Sequence, residues 1–243
     1  MDKGSSVRDM FGAIARRYDL ANTVMTGGMD ALWRRRAAAC VSAPPDGRLL
    51  DVCCGTGALT RLLAQKVPRG EVVGVDFSEP MLEIARRHPS QNARYELADA
   101  LQLPFADGSF DGATMAFSLR NVVDIPRCLR EIARVLKAGA VFANLEVSKP
   151  ANPLLRKTFY AYFYGAVPFI GGLVGGNAAA YRYLPQSLIN FPDVRTLSEL
   201  FRANGFASVR CTGLMGGVAT LHVGATAARS AAASAAAYAS AHA

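Results

Sequence analysis

The chain has 243 residues, 51% hydrophobic and 19% charged, and its 27 Lys and Arg against 19 Asp and Glu give a net charge of +8. That balance excludes a disordered or fibrous chain and allows one sizeable core. Five Cys with no C-x-x-C spacing, and three scattered histidines (His88, His222, His242), argue against a disulfide framework and a zinc site and point to a reducing, cytoplasmic setting.

Residues 7–42 predict two helices parted by a turn at Gly27–Gly28. Met10, Phe11, Ile14, Tyr18 and Val24 fall at helical spacing in the first, and Leu32 and Trp33 stand beside Arg34, Arg35 and Arg36 in the second. No secretory leader is read in residues 1–17. Ala43-Pro44-Pro45-Asp46-Gly47 then ends the helix. From Arg48 onward strands and helices alternate. Strands are expected over Arg48–Cys53, Glu71–Asp76, Arg94–Leu97, Gly112–Phe117 and Ala140–Glu146. Helices are expected over Ala58–Gln65, Pro80–Arg87 and Ile125–Leu136. This rhythm predicts a mostly parallel sheet covered by helices on both faces.

Residues 158–181 carry no charge but hold Pro168 and five glycines, which predicts against a continuous helix and hence against a membrane span. A helix is expected over Asp193–Asn204. Strands over Ala207–Leu214 and Val218–Val223, joined by Met215-Gly216-Gly217, should pair antiparallel. The segment 225–243 reads as an Ala-rich low-complexity tail.

The most informative window is Leu49-Leu50-Asp51-Val52-Cys53-Cys54-Gly55-Thr56-Gly57-Ala58-Leu59. A buried strand enters Gly-x-Gly at the mouth of a helix, where glycines let a ligand approach and the helix offers free N–H groups. Asp76 ends the next strand, placed to accept bonds from ribose hydroxyls. The third glycine of the dinucleotide fingerprint is absent, Thr60 standing in its place. Asp51, Asp76 and Asp99 would repel a pyrophosphate and suit a cationic ligand. S-adenosylmethionine (SAM) is such a ligand, with Asp51 near its amino group and Asp99 near its adenine.

The window resembles motif I of class I SAM-dependent methyltransferases. Further blocks narrow the resemblance to the C-methyltransferases of the demethylmenaquinone and ubiquinone pathways. They are Phe11…Ile14-Ala15-Arg16-Arg17-Tyr18-Asp19-Leu20-Ala21-Asn22, Gly28…Trp33-Arg34, Phe117-Ser118-Leu119-Arg120-Asn121-Val122-Val123-Asp124, Glu146-Val147-Ser148-Lys149-Pro150, Tyr181-Arg182-Tyr183-Leu184 and Val218-Ala219-Thr220-Leu221-His222. The resemblance implies a Rossmann-like α/β fold with a mostly parallel seven-stranded sheet and one antiparallel strand. It implies a helical cap over 1–45 forming part of a substrate lid, a methyltransferase domain over 46–224 with an apolar insert at 152–191, and the tail beyond. Gly55, Thr56, Gly57, Asp76, Phe77, Asp99 and Ala100 would hold SAM together with Asp51. Ala116 stands where the family often has serine, so its contact is through the backbone. Ala58 and Gly12 replace acidic residues usual in the family.

The resemblance implies a polyprenylated quinol substrate, methylated on carbon. Arg120 would stabilise a phenolate, Asn121 would orient the ring oxygens, Asp19 or Asp124 would accept the proton, and Tyr18, Tyr181 and Tyr183 would shape the pocket. Tyr181 and Tyr183 share a face only in a strand. His222 lies among apolar neighbours and reads as structural. The apolar stretch 159–170 and the early arginines predict peripheral contact with an anionic membrane. A homodimer is compatible with the pattern. No nucleic-acid partner is expected, since neither an aromatic-studded RNA motif nor an N-P-P-Y block is present.

Overall fold

The computed structural model describes residues 10–176 and 178–228. Its seven strands are β1 (Arg48–Val52), β2 (Glu71–Asp76), β3 (Ala93–Leu97), β4 (Phe110–Ala116), β5 (Leu136–Val147), β6 (Phe206–Leu214) and β7 (Ala219–Thr226). They form one sheet in the order β3-β2-β1-β4-β5-β7-β6, parallel except for β7, which runs antiparallel to both β5 and β6. From β1 the chain steps outward to β2 and β3, then returns to start β4 on the other side. That reversal opens a crevice at the carboxyl ends of β1 and β4, where ligands of such sheets bind.

The helices are α1 (Tyr18–Thr26), α2 (Met29–Cys40), α3 (Ala58–Ala64), α4 (Glu79–Arg86), α5 (Ile125–Val135), α6 (Pro153–Ala161), α7 (Val167–Gly175), α8 (Ala178–Ile189) and α9 (Val194–Ala203). Side chains alternate across the sheet. Leu50, Val52, Val73, Val75, Phe110 and Phe142 join Leu129 and Ile132 of α5 and Phe201 of α9 in one core. Leu49, Val72, Ala143 and Leu145 join Trp33, Ala37 and Val41 at α2 and Leu59 and Leu63 of α3 in the other. Phe142 and Phe201 stack with ring centroids 5.5 Å apart, and both are fully buried. Burying such a ring contributes about 2–3 kcal/mol.

Two expectations are corrected and one alternative left open is decided. First, the uncharged stretch is helical as far as Gly175: α6 passes through a π-helical turn (Tyr162–Ala166) into α7, which the left-handed Gly176 then ends. Pro168 stands directly after that turn, among the first residues of α7. Gly171 and Gly175, four residues apart, form a groove for the ring of Tyr181, and a Cβ on either would collide with it. No helix among the described residues is long and apolar enough to cross a membrane. Second, Tyr181 and Tyr183 lie in a helix and face different ways. Third, β7 continues to Thr226, with Gly224 and Ala225 paired to Phe142 and Val141, so the tail begins later than its composition implied. The remainder of that tail, 229–243, lies outside the described residues.

The first predicted helix is also subdivided. A helix over 10–14 tightens into a 3₁₀ turn at Ala15–Arg17 before α1, and Gly27 and Gly28 take the left-handed conformations that let α2 fold back. α1 packs on α7, and the Tyr162 hydroxyl donates to the Met25 carbonyl at 2.7 Å.

Candidate active site

After β1 the backbone turns sharply: Cys53, Gly55 and Gly57 all have positive φ (53°, 55° and 76°). Gly57 has a second constraint, because the Tyr95 ring occupies the space a Cβ would take. The turn brings the Gly55 N–H to the Asp76 carboxylate (2.8 Å), whose other oxygen accepts from the Ser78 N–H (2.9 Å). Asp51, 1% exposed, accepts from the hydroxyls of Thr60 and Thr114, both at 2.7 Å. Burial pushes both carboxyls up, Asp51 and Asp76 each to about 6, against the lowering effect of these hydrogen bonds. Asp99 is exposed just beyond β3 and accepts from the Leu101 N–H at 2.9 Å.

These groups line a cleft of about 230 Å³. The structure brings together there Tyr18, Asp51, Gly55, Thr56, Asp76, Phe77, Asp99, Ala100, Ala116 and Asn121, ten of the sixteen residues expected at the site. Gly57 stands behind it as the residue before α3. Ala116 offers no hydroxyl, but Ser118 also lines the cleft and donates to the Ala116 carbonyl at 3.1 Å. Both amide atoms of Asn121 are buried without a partner among the described residues.

A second, more apolar cavity of about 320 Å³ adjoins the first. Phe11 and Tyr18 line both. Its walls include Trp33, Phe117, Leu155, Phe159, Phe163 and Val218, with Tyr181 and Arg120. Burial raises the Tyr18 phenol above its ordinary range, so it is protonated at neutral pH.

Arg120 lines this second cavity, not the cleft. It is no free cation: its guanidinium pairs with the fully buried Glu146 and donates to the Phe117 carbonyl (2.7 Å) and the Ser187 hydroxyl (3.2 Å). Three other expected residues line neither cavity. Asp19 accepts the Thr56 hydroxyl at 2.9 and 2.8 Å on its two oxygens. Asp124 caps α5 by accepting the Arg127 N–H at 2.9 Å. Tyr183 has a buried hydroxyl without a partner among the described residues, and it is Tyr181 that reaches the cavity. His222 is remote and fully buried, its Nε2 3.2 Å from the Val194 carbonyl. Sequence reasoning gave no individual role to Trp33 or Phe117, and it counted Arg34 among the early arginines expected at a membrane surface, whereas Arg34 is only 8% exposed and lines the cleft. Their only signal was the Gly28…Trp33-Arg34 and Phe117-Ser118 blocks.

The donor set fits SAM. Three carboxylates converge on one cleft against a single guanidinium, that of Arg34, and the helix after the turn lacks the third glycine. A model of the ubiE/COQ5 methyltransferase family matches residues 1–226. The chain belongs to the ubiE/COQ5 methyltransferase family. A demethylmenaquinone methyltransferase of Deinococcus radiodurans is 44% identical over 226 residues, 92% of this chain and 93% of that protein. One from Thermus thermophilus is 44% identical over 88% of this chain and 99% of its own. A ubiquinone/menaquinone biosynthesis C-methyltransferase of Geobacter is 40% identical over 92% and 97%. Among solved structures, a SAM-dependent methyltransferase of Thermotoga maritima superposes with a TM-score of 0.65 at 22% identity, covering 90% of this chain and 99% of that one. That likeness shows the class I methyltransferase fold, into which this member of the ubiE/COQ5 family builds both cavities.

Proposed function

We propose that the protein transfers a methyl group from SAM to a ring carbon of a polyprenylated quinol, converting demethylmenaquinol to menaquinol. The observation that carries this reading is the junction at Phe11 and Tyr18, where an acid-lined cleft meets an apolar cavity. A charged cofactor and a greasy acceptor each find a matching chamber, and the two chambers touch. The names of the Deinococcus and Thermus relatives support the naphthoquinol acceptor. The name of the Geobacter relative supports a second reading, in which the benzoquinol of the ubiquinone pathway is also methylated.

Thr56, Asp76, Phe77 and the Asp99–Ala100 pair would hold the cofactor's nucleoside, and Asp51 its amino end. SAM supplies an electrophilic methyl group on a sulfonium centre. A quinol hydroxyl has a pKa of about 10, so the chain must favour its ionised form. The Arg120–Glu146 pair is neutral overall, and Arg120 therefore acts by donated hydrogen bonds more than by net charge. Asn121, with two unsatisfied amide atoms, orients a ring oxygen. Tyr18, protonated, donates to one. Alignment in a water-poor chamber supplies much of the rate, roughly 7–11 kcal/mol in favourable cases.

The segment over 10–45 serves as part of the substrate lid, and the apolar helices α6 and α7 hold the isoprenoid tail. Leu154, Phe169 and Leu173 are 73–74% exposed there, and Leu20 and Val24 on α1 are exposed nearby. Exposed Arg16, Arg17, Arg156 and Lys157 belong to the same segments. This is a surface for peripheral contact with an anionic membrane. Sedimentation with vesicles tests it: binding to anionic vesicles that weakens with salt is expected, and equal binding to neutral ones, or none, overturns it.

The activity is tested with labelled SAM and, separately, reduced demethylmenaquinone and the reduced benzoquinol. Methylation on carbon of the naphthoquinol is expected. Methylation of both establishes the second reading. SAM binding without transfer to either acceptor rejects a quinol substrate.

A further inference from the structure

The cleft reserved for the cofactor is lined by three carboxylates, and among the described residues Arg34 is the one basic side chain that lines it. Arg34 comes from α2, outside the sheet domain, and is only 8% exposed. Its position is over-determined. One terminal nitrogen pairs with the buried Asp30, one helical turn earlier, and Asp30 is fixed by the Thr26 hydroxyl (3.1 Å). The guanidinium carbon stands 5.2 Å from the centre of the Phe117 ring. Asp30 faces the apolar cavity and Arg34 the cleft, so the pair lies along the wall between the two chambers. The guanidinium makes no other hydrogen bond among the described residues, which leaves Nε and the second terminal nitrogen for a ligand.

A guanidinium with a free edge, held rigid in a cleft, recognises a planar anion. The methionine arm of SAM ends in such an anion, an α-carboxylate. It must enter a cleft where Asp51, Asp76 and Asp99 all repel it. We infer that Arg34 binds the cofactor's α-carboxylate, with Asp30 and Phe117 positioning it. This inference rests on SAM being the cofactor. It also gives the helical segment a part in cofactor binding, since α2 delivers a ligand group to a cleft built otherwise from the sheet.

The test is calorimetric and needs no acceptor. The titrants are S-adenosylhomocysteine and its decarboxylated analogue, S-adenosyl-3-thiopropylamine, which differ only in the carboxylate. The wild-type protein should bind the first about 10- to 100-fold more tightly. Arg34→Met should abolish that preference and leave the analogue's affinity within a few-fold. Removing Arg34 leaves Asp30 buried and unpaired, so Asp30→Asn/Arg34→Met is measured alongside, with circular dichroism to show that it folds. Arg34→Lys should restore part of the preference. An equal loss for both nucleosides in the double variant, or no preference in the wild-type protein, overturns the assignment of Arg34. Failure of the wild-type protein to bind either nucleoside overturns the cofactor reading itself.

Discussion

The Thr56 hydroxyl lies 2.9 and 2.8 Å from the two carboxylate oxygens of Asp19. Thr56 belongs to the glycine turn after β1 and Asp19 to the first turn of α1, so this contact ties the N-terminal segment to the floor of the cleft. The same segment is held from its far side by Tyr162 and by packing on α7. A hydrogen bond to a charged group is worth about 1.5–3 kcal/mol. Asp19→Ala should therefore loosen residues 10–26, seen as faster amide hydrogen exchange there, with little change in the sheet. Asp19→Asn, which keeps an acceptor, should have a smaller effect. Uniform protection in the Ala variant would mean that the packing on α7 suffices.

The Gly171–Tyr181–Gly175 arrangement makes a prediction opposite to helix propensity. Exposed glycines in a helix are usually improved by alanine, by roughly 1 kcal/mol. Here the ring of Tyr181 already fills the space of the new methyl group. Gly171→Ala or Gly175→Ala should destabilise by about 1–3 kcal/mol through overpacking, measured by urea denaturation. Adding Tyr181→Leu should recover part of the loss.

That segment also shows where sequence reading stops. The succession of strands and helices along the chain, the antiparallel pairing of its last two strands and the glycine turn of the cofactor cleft follow from hydrophobic period and glycine placement, which are local properties. Reading Pro168 and the glycines as breakers held only at Gly176, which ends α7; Pro168 is accommodated directly after a π turn, and Tyr181 of the next helix occupies the space of the missing Cβ atoms of Gly171 and Gly175. The same limit applies to Arg120. Its motif placed it near the site, but the Glu146 beneath it comes from β5, and a pairing across 26 residues has no local signature. Asp19 and Thr56 were each legible as site residues; that they bind one another was not.

The Arg120–Glu146 pair is almost wholly shielded from water, with side chains 5% and 0% exposed. Removing one partner of a buried pair costs about 3–5 kcal/mol, because the other charge is left uncompensated. Glu146→Ala should therefore be strongly destabilised. Glu146→Gln should fold better, since its one amide oxygen can still accept from the Arg120 guanidinium, although the Arg120 N–H, which bonds the other Glu146 oxygen, then loses its acceptor. It would also leave Arg120 with a net charge in the acceptor cavity. The expected kinetic signature is a shift of the acidic limb of kcat to lower pH, as the unneutralised guanidinium favours the ionised quinol. An unchanged pH profile in a folded Glu146→Gln protein would show that Arg120 acts on the acceptor by shape alone.

Asp51 and Asp76 give the chain a pH dependence whose sign differs between the free and the ligand-bound protein. In the folded chain each carboxyl is pushed by burial from an ordinary 3.8 to about 6. Between those values the folded chain holds protons that the unfolded chain has released. The stability associated with these groups is thus fully present below about pH 4 and is lost as pH rises through 6, by roughly 3 kcal/mol for either carboxyl considered alone. A ribose needs Asp76 ionised, as an acceptor, and a cationic amino end needs Asp51 ionised. The ligand therefore favours the state that the free protein resists. The rise in melting temperature caused by saturating S-adenosylhomocysteine should grow between pH 5 and 7.5 and level off above. Asp76→Asn, which cannot ionise, should match the wild-type protein in stability near pH 4 and exceed it increasingly as pH rises, most of all above pH 6.5. It should bind the nucleoside about 10- to 100-fold more weakly at neutral pH. A ligand-induced shift that is flat across this range would show that neither carboxylate changes protonation on binding.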